Sequence, residues 1–297
     1  MKIGTAEQSS TFQRQGLALK QVLEKAGLPG PIEIMSAKSA SIENAERIGA
    51  GELDFGFMAA NWIGRALRGE KPFAKPIALR MVAPMNLGPM YFIARADSPI
   101  GSVRDLRGKR VVVGPADSGT VQHSDCILGA LGIGFADITP ITATFAEGGE
   151  MVARGEADAQ LQCPIPNPTM AKLDAAHDFK VLGYAPGDLE KVLAKHAVYR
   201  RAVMRKGVLR AAREDTAHAG VTNVLVCHER QDARAVAAVV RALVAGAAEL
   251  QRIEPLFTGI ADLWSSLPRD GAKALEFEGV PLHEGARAGY AAAGLLA

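Results

Sequence analysis

The residues Val111 to Thr120, VVVGPADSGT, set a β-branched run directly before a loop bracketed by Gly114 and Gly119. The outline is that of a phosphate-cradling loop, but no lysine follows the second glycine. What remains is a strand, a turn of small residues and a helix start. Such a start offers unpaired N–H groups and a partial positive charge, which can hold a carboxylate or phosphate without a lysine. Two more stretches carry hydroxyl and amide residues at helix starts: Ser9, Ser10, Thr11 and Phe12, then Ser39, Ser41, Ile42 and Asn44.

Other reactive residue types give weaker patterns. His123 and Cys126 lie three apart on one helical face, but zinc needs more ligands and no second cluster supplies them. This pair reads as packing. Cys163-Pro164 follows an expected strand, yet no base for a thiol nucleophile is identifiable. Cys227-His228 ends a strand and reads as core followed by surface. His283-Glu284 lacks metal spacing and reads as structural. The run Arg200 to Lys206, with Arg210 and Arg213, is the strongest basic patch. Without aromatic interleaving beyond Tyr199 it reads as a solvated face, not a nucleic-acid surface.

The elements that must position these loops alternate along the chain. Lys2–Thr5 is a short strand. A helix starts near Ser10, with Gln13 at capping-box spacing, and runs to about Lys25. Ile32–Ser36 is a strand, Ser41 opens a helix closed by Gly49 and Gly51, Asp54–Ala59 is a strand and Asn61–Arg68 a helix. Strands at Ile77–Pro84 and Tyr91–Ala94 flank an expected turn at Gly88-Pro89. This alternation predicts an α/β chain with mainly parallel strands.

The chain also echoes itself. Ala45 to Asp54 is a helix ending in G-E-L-D and then a strand, and Glu150 to Asp158 is a helix ending in G-E-A-D and then a strand. Upstream, Gly4-Thr5-Ala6-Glu7 with Ser10-Thr11 parallels Gly114-Pro115-Ala116-Asp117 with Gly119-Thr120. Each half follows one plan. Open parallel sheets bind ligands beyond the carboxyl ends of their strands, so the serine- and glycine-bearing turns are the candidate seats for a small anion.

Size and composition fit an ordinary globular chain, with 48% apolar residues. At 297 residues two domains are expected from a prior of about 100–200 residues each. The net charge of +2 with 22% charged residues points to neither nucleic acid nor membrane. Three scattered cysteines suggest neither a disulfide scaffold nor structural zinc. The most apolar stretch, Ala233 to Leu250, is interrupted by Arg234 and Arg241 and falls short of the ~20 apolar residues a spanning helix needs. Met1 to Thr5 has no signal-peptide character.

Five segments carry a family resemblance: GTAEQSSTFQRQGLAL, SASIENAERIGAGELDFGFMAAN, LRGKRVVVGPADSGT, FAEGGEMVARGEADAQLQ and GVPLHEGARAGYAAAG. Their order and spacing resemble the TAXI family, the extracytoplasmic solute receptors of tripartite ATP-independent periplasmic (TRAP) transporters, over nearly the whole chain. The resemblance implies a type II periplasmic-binding-protein-like α/β fold, with two lobes joined by a two-strand hinge and the ligand cleft between them. Residues 1–92 and 221–297 would form the first lobe and 93–220 the second. It implies a small carboxylate ligand, such as glutamate or a related acid, captured by hinge closure and handed to TRAP permease subunits. It implies a periplasmic location, no cofactor, no metal and no catalysis.

Carried over by position, the implied ligand shell is Ser9, Ser10, Thr11, Phe12, Ser39, Ser41, Ile42, Asn44, Ala59 and Asn61 in the first lobe. In the second it is Asp117, Ser118, Gly119, Thr120, Val121, Cys163, Pro164 and Pro166. The chain departs from the family at Ala6 to Ser10 and at Lys38-Ser39-Ala40, where glycines are usual, and it carries no secretion signal. Asp117 could pair with a ligand ammonium or favour its helix start; Glu7 reads as structural. A cytosolic lyase or decarboxylase on the same fold, or a small-molecule sensor, is the alternative.

Overall fold

The computed structural model describes residues 1–8, 10–116, 118–162, 165 and 167–297. The chain forms two compact units, Met1–Asn86 with Thr222–Ala297, and Leu87–Val221.

The first unit opens with β1 (Lys2–Gly4), α1 (Thr11–Lys25), β2 (Glu33–Met35), α2 (Ser41–Gly49), β3 (Phe55–Ala59) and α3 (Ala60–Arg68). β1 pairs in parallel with β2 on one side and β3 on the other, with Ile3 opposite Ile34 and Phe55. Ser10 caps α1 by accepting from the Gln13 N–H at 3.3 Å. Gln15, Ala18, Leu19, Val22 and Leu23 are buried, the repeat of one face of a helix. α3 stops at Gly69, whose φ of 66° suits the left-handed cap.

β4 (Leu79–Arg95) runs without a break from the first unit into the second. The expected turn at Gly88-Pro89 is therefore absent, and both residues lie inside this strand. The pair is compatible with extended backbone. A residue before proline is pushed to the β region, and the proline φ near −65° fits an extended path.

The second unit continues with β5 (Arg110–Gly114), α4 (Gly119–Ala130), β6 (Thr139–Thr142), α5 (Phe145–Ala153), β7 (Ala159–Gln162), α6 (Pro168–Ala176), β8 (Phe179–Leu182), α7 (Asp188–Lys195) and β9 (Tyr199–Met204). β5 pairs in parallel with β6 and β7, while β7 and β8 each pair antiparallel with β4. Tyr91, Ile93, Val112, Val152, Met170 and Phe179 form the core between sheet and helices. α5 passes close over β7, since a Cβ at Gly148 would overlap the Gln160 amide.

β10 (Thr216–His228) pairs antiparallel with β9 and then, past the unit boundary, with β3. α8 (Ala233–Ala245), capped by Asp232 on the Ala235 N–H, α9 (Ala247–Ile253), α10 (Leu267–Asp270) and α11 (Glu284–Ala292) complete the first unit. α8 and α11 approach closely because Gly285 and Gly289 face Ala233 and Val240. Among the described residues, no helix is long and apolar enough to cross a membrane.

Candidate functional site

In the first unit three helix starts follow the carboxyl ends of three parallel strands. Ser10, Thr11 and Phe12 open α1, Ser41, Ile42 and Asn44 lie in the first turn of α2, and Ala59 and Asn61 straddle the start of α3. Hydrogen bonds bind these loops into one group. Ser41 Oγ accepts from the Ala59 N–H at 3.1 Å, joining the start of α2 to the end of β3. Asn44 Nδ2 donates to Thr5 O at 2.7 Å and Phe57 O at 2.9 Å. Phe12 stacks on Phe57 with ring centroids 5.9 Å apart. Ser39 precedes α2 in an exposed bend.

These contacts separate braces from open positions. Asn44 is fully buried, both its amide hydrogens are engaged by backbone carbonyls, and its Oδ1 lies against Gly4. Its side chain holds the strand ends together beneath the seat. The Ser41 hydroxyl is likewise engaged. The helix starts themselves differ: α1 has a side-chain cap, whereas α2 and α3 have none. At α2 the Ile42 N–H donates to Ser39 O at 3.2 Å, and the other first-turn N–H groups of α2 and α3 receive no side-chain cap from their N-cap residues. Asn61 Oδ1 is buried with no hydrogen-bond partner among the described residues. The residue before α2, Ala40, has φ 43°, a conformation costly for a side chain bearing a Cβ and of the kind found at ligand clamps. Arg14, the cation beside Ser10, is engaged by Glu254 through bonds of 2.8 and 2.7 Å.

In the second unit the N-cap residues of α4 and α7, Ser118 and Gly187, make no cap bond, and α4 follows the parallel strand β5. Gly114 ends β5 with φ 122°, and Thr120 packs against it so tightly that a Cβ at Gly114 would lie 2.6 Å from the Thr120 Cβ. Ser118 occupies the N-cap without capping: its side chain makes no cap bond, and its buried Oγ has no partner among the described residues. Gly119, Thr120 and Val121 form the first turn. The neighbouring starts are closed. Thr144 and Glu147 form a reciprocal capping box on α5, and Asn167 Oδ1 accepts from the Thr169 and Met170 N–H groups on α6. Ser9, Asp117, Cys163, Pro164 and Pro166 lie outside the described residues.

Behind the first turn of α4 the side chains point inward. Ser124 Oγ donates to Val113 O at 2.9 Å, and His123 Nδ1 lies 2.8 Å from Tyr199 Oη. Burial lowers the His123 pKa to about 4, so the ring is neutral and serves packing. Among the described residues no group of three or more His, Cys, Asp or Glu could hold a metal ion. Cys227 is buried at the end of β10, and desolvation pushes its thiol up to about 12. His283 Nδ1 accepts from the Gly285 N–H at 3.0 Å and caps α11. Within the basic patch Arg201, Arg205 and Arg210 form ion pairs with Glu190, Asp215 and Asp178.

A groove of about 850 Å³ lies elsewhere in the second unit, between α5 and α6, floored by Met151 and Leu173. It has no lining residue from the start of α4. Sequence reasoning missed the buried amides Gln15, Asn86 and Asn223, whose partners are distant along the chain.

Solved structures with the same fold include solute-binding proteins. A putative sulfonate ABC transporter periplasmic sulfonate-binding protein, SsuA from Methylobacillus flagellatus KT, is 15% identical over 100% of this chain and 87% of its own, with a TM-score of 0.58. A TctC solute binding protein from Polaromonas is 13% identical over 88% and 86%, with a TM-score of 0.56. The periplasmic aliphatic sulphonate binding protein SsuA from Escherichia coli is 18% identical over 93% and 77%, with a TM-score of 0.50. The fold is thus the α/β fold of periplasmic solute-binding proteins. The family description that matches, across residues 3–294, is the NMT1-like family, and the chain belongs to that family.

Proposed function

We propose that this chain is an extracytoplasmic solute-binding protein that captures a small organic acid and delivers it to a membrane transporter. The observation that carries this reading is the set of uncapped helix starts at α2, α3 and α4, each at the carboxyl end of a strand. In the first unit the uncapped donors come with an Asn61 carbonyl, and in the second with a Ser118 hydroxyl, neither with a partner among the described residues; each set suits an anion that also carries a donor group. The paired Arg14 supports backbone recognition of the anion, in place of a guanidinium clamp.

The proposed ligand is a carboxylate of the glutamate or organic-acid class, and the proposed transporter is of the TRAP type with this chain as its TAXI-like receptor. The five sequence segments quoted above support that assignment. The proposed site comprises Ser10, Thr11, Phe12, Ser41, Ile42, Ala59, Asn61 and Ser118 to Val121, and a periplasmic location and capture by hinge closure belong to the same proposal. The sulfonates named for two structural neighbours define the competing ligand class.

A thermal-shift screen against dicarboxylates, amino acids, aromatic acids and alkanesulfonates tests the reading, because a ligand that binds the folded form raises its melting temperature. Stabilisation by carboxylates is expected. Stabilisation by sulfonates alone would overturn the ligand class, and loss of the bound acid over hours to a new product would make the chain an enzyme.

A further inference from the structure

Three amides meet inside the first unit. Gln15 Nε2 donates to Asn86 Oδ1 at 2.8 Å, and Asn223 Nδ2 donates to the same oxygen at 3.0 Å. Gln15 is fully buried, and Asn86 and Asn223 are 5% and 8% exposed. Both lone pairs of the Asn86 carbonyl are thereby engaged. Gln15 Oε1 has no hydrogen-bond partner among the described residues. Apolar side chains would fill these positions at a lower desolvation cost. Packing alone does not explain three amides at one point.

Their places along the chain do. Gln15 lies one turn inside α1, four residues after Thr11. Asn86 is the last residue of the first unit on β4, and Asn223 is the second residue after the chain returns on β10. One acceptor therefore ties both chain passages to the first turns of α1. A buried, hydrogen-bonded contact of this kind fixes geometry more narrowly than an apolar one.

We infer that Gln15, Asn86 and Asn223 are positioning residues that hold the first turns of α1 in register with β4 and β10, so that occupancy at Thr11 and Phe12 and the conformation of the two passages are set together. The consequence for ligand affinity rests on the proposed function; the mechanical coupling rests on the hydrogen bonds alone.

Amide hydrogen exchange on the full chain without ligand tests the coupling, using Gln15→Met, Asn223→Leu and the double variant. In each single variant, exchange in the first two turns of α1 should accelerate at least tenfold. The double variant should be no faster than the faster single one, because both substitutions break one linkage. Gln15→Glu, which keeps the length but loses the donor, replaces Gln15→Met if that chain does not fold. Unchanged exchange at α1, or effects that multiply as independent losses do, overturns the inference.

Affinity for the acid found in the screen should fall at least fivefold in the same variants; affinity within twofold of wild type also overturns it. If wild type binds none of the acids while the exchange result holds, the organic-acid reading fails and the coupling stands.

Discussion

Asp54 and Asp158 hold the same place in the two units: each carboxylate accepts the N–H that opens a parallel strand, from Lys2 at 2.7 Å and from Arg110 at 2.8 Å. The backbone repeats the match. The Asp54 N–H donates to Lys2 O at 3.0 Å, and the Asp158 N–H donates to Arg110 O at 2.8 Å. Ahead of each, a glycine with positive φ ends the helix, Gly51 at 76° and Gly155 at 73°. The G-E-x-D echo in the sequence is thus a register pin. It stops a helix, reverses the chain and locks the next strand to its neighbour.

Replacing either aspartate by alanine should lower stability by about 1 kcal/mol, the usual net worth of one such hydrogen bond. Urea unfolding checks this. Asp158 also lies beside the Arg110 guanidinium, whose hydrogen bond holds the carboxyl below the usual carboxylate range. Its contribution is present above the unfolded pKa and is lost as pH falls through the lowered folded value.

Histidine titration should give a second, separate acid window. Burial lowers His123 and His218 to about 4, from an ordinary value of 6.5. Between these values the unfolded chain binds more protons than the folded one, so stability must fall as pH drops from 6.5 towards 4. The slope should approach about 1.4 kcal/mol per pH unit for each imidazole. Denaturation midpoints followed from pH 7 to pH 4 should show it, and His123→Gln should reduce the slope.

Gly114→Ala should destabilise the second unit by about 1–3 kcal/mol, since the new Cβ meets Thr120 and the left-handed φ disfavours alanine. Thermal unfolding measures this directly. Gly132→Ala shares the positive φ, at 76°, but has open space around it, and separates the two causes.

Ser118→Ala removes a hydroxyl that has no partner among the described residues and caps nothing. Unliganded stability should stay within about 0.5 kcal/mol. Affinity for an organic acid should fall about tenfold, as expected for a lost hydrogen bond to a charged group. Calorimetric titration of both proteins reads the two effects apart.

Much of the fold was legible because its signals are local. The cap at Ser10, the turn glycines and the alternating strand and helix patterns act within a few residues. The Gly88-Pro89 turn was misread because glycine before proline favours a turn and an extended strand alike. The amides were invisible for a different reason: Gln15 and Asn86 are 71 residues apart, and Asn86 and Asn223 are 137 apart. At the site, the sequence located the helix starts but could not distinguish Ser10, which caps its helix, from Ser118, which does not. That difference depends on side-chain rotamers and on the backbone at the turn.

The most direct test follows the backbone amides by nuclear magnetic resonance while a dicarboxylate or amino acid is titrated into the wild-type chain. The account expects the N–H signals of Ser41, Asn61 and Thr120 to move together and saturate at one stoichiometric equivalent. Saturable binding that leaves those three signals in place would contradict it.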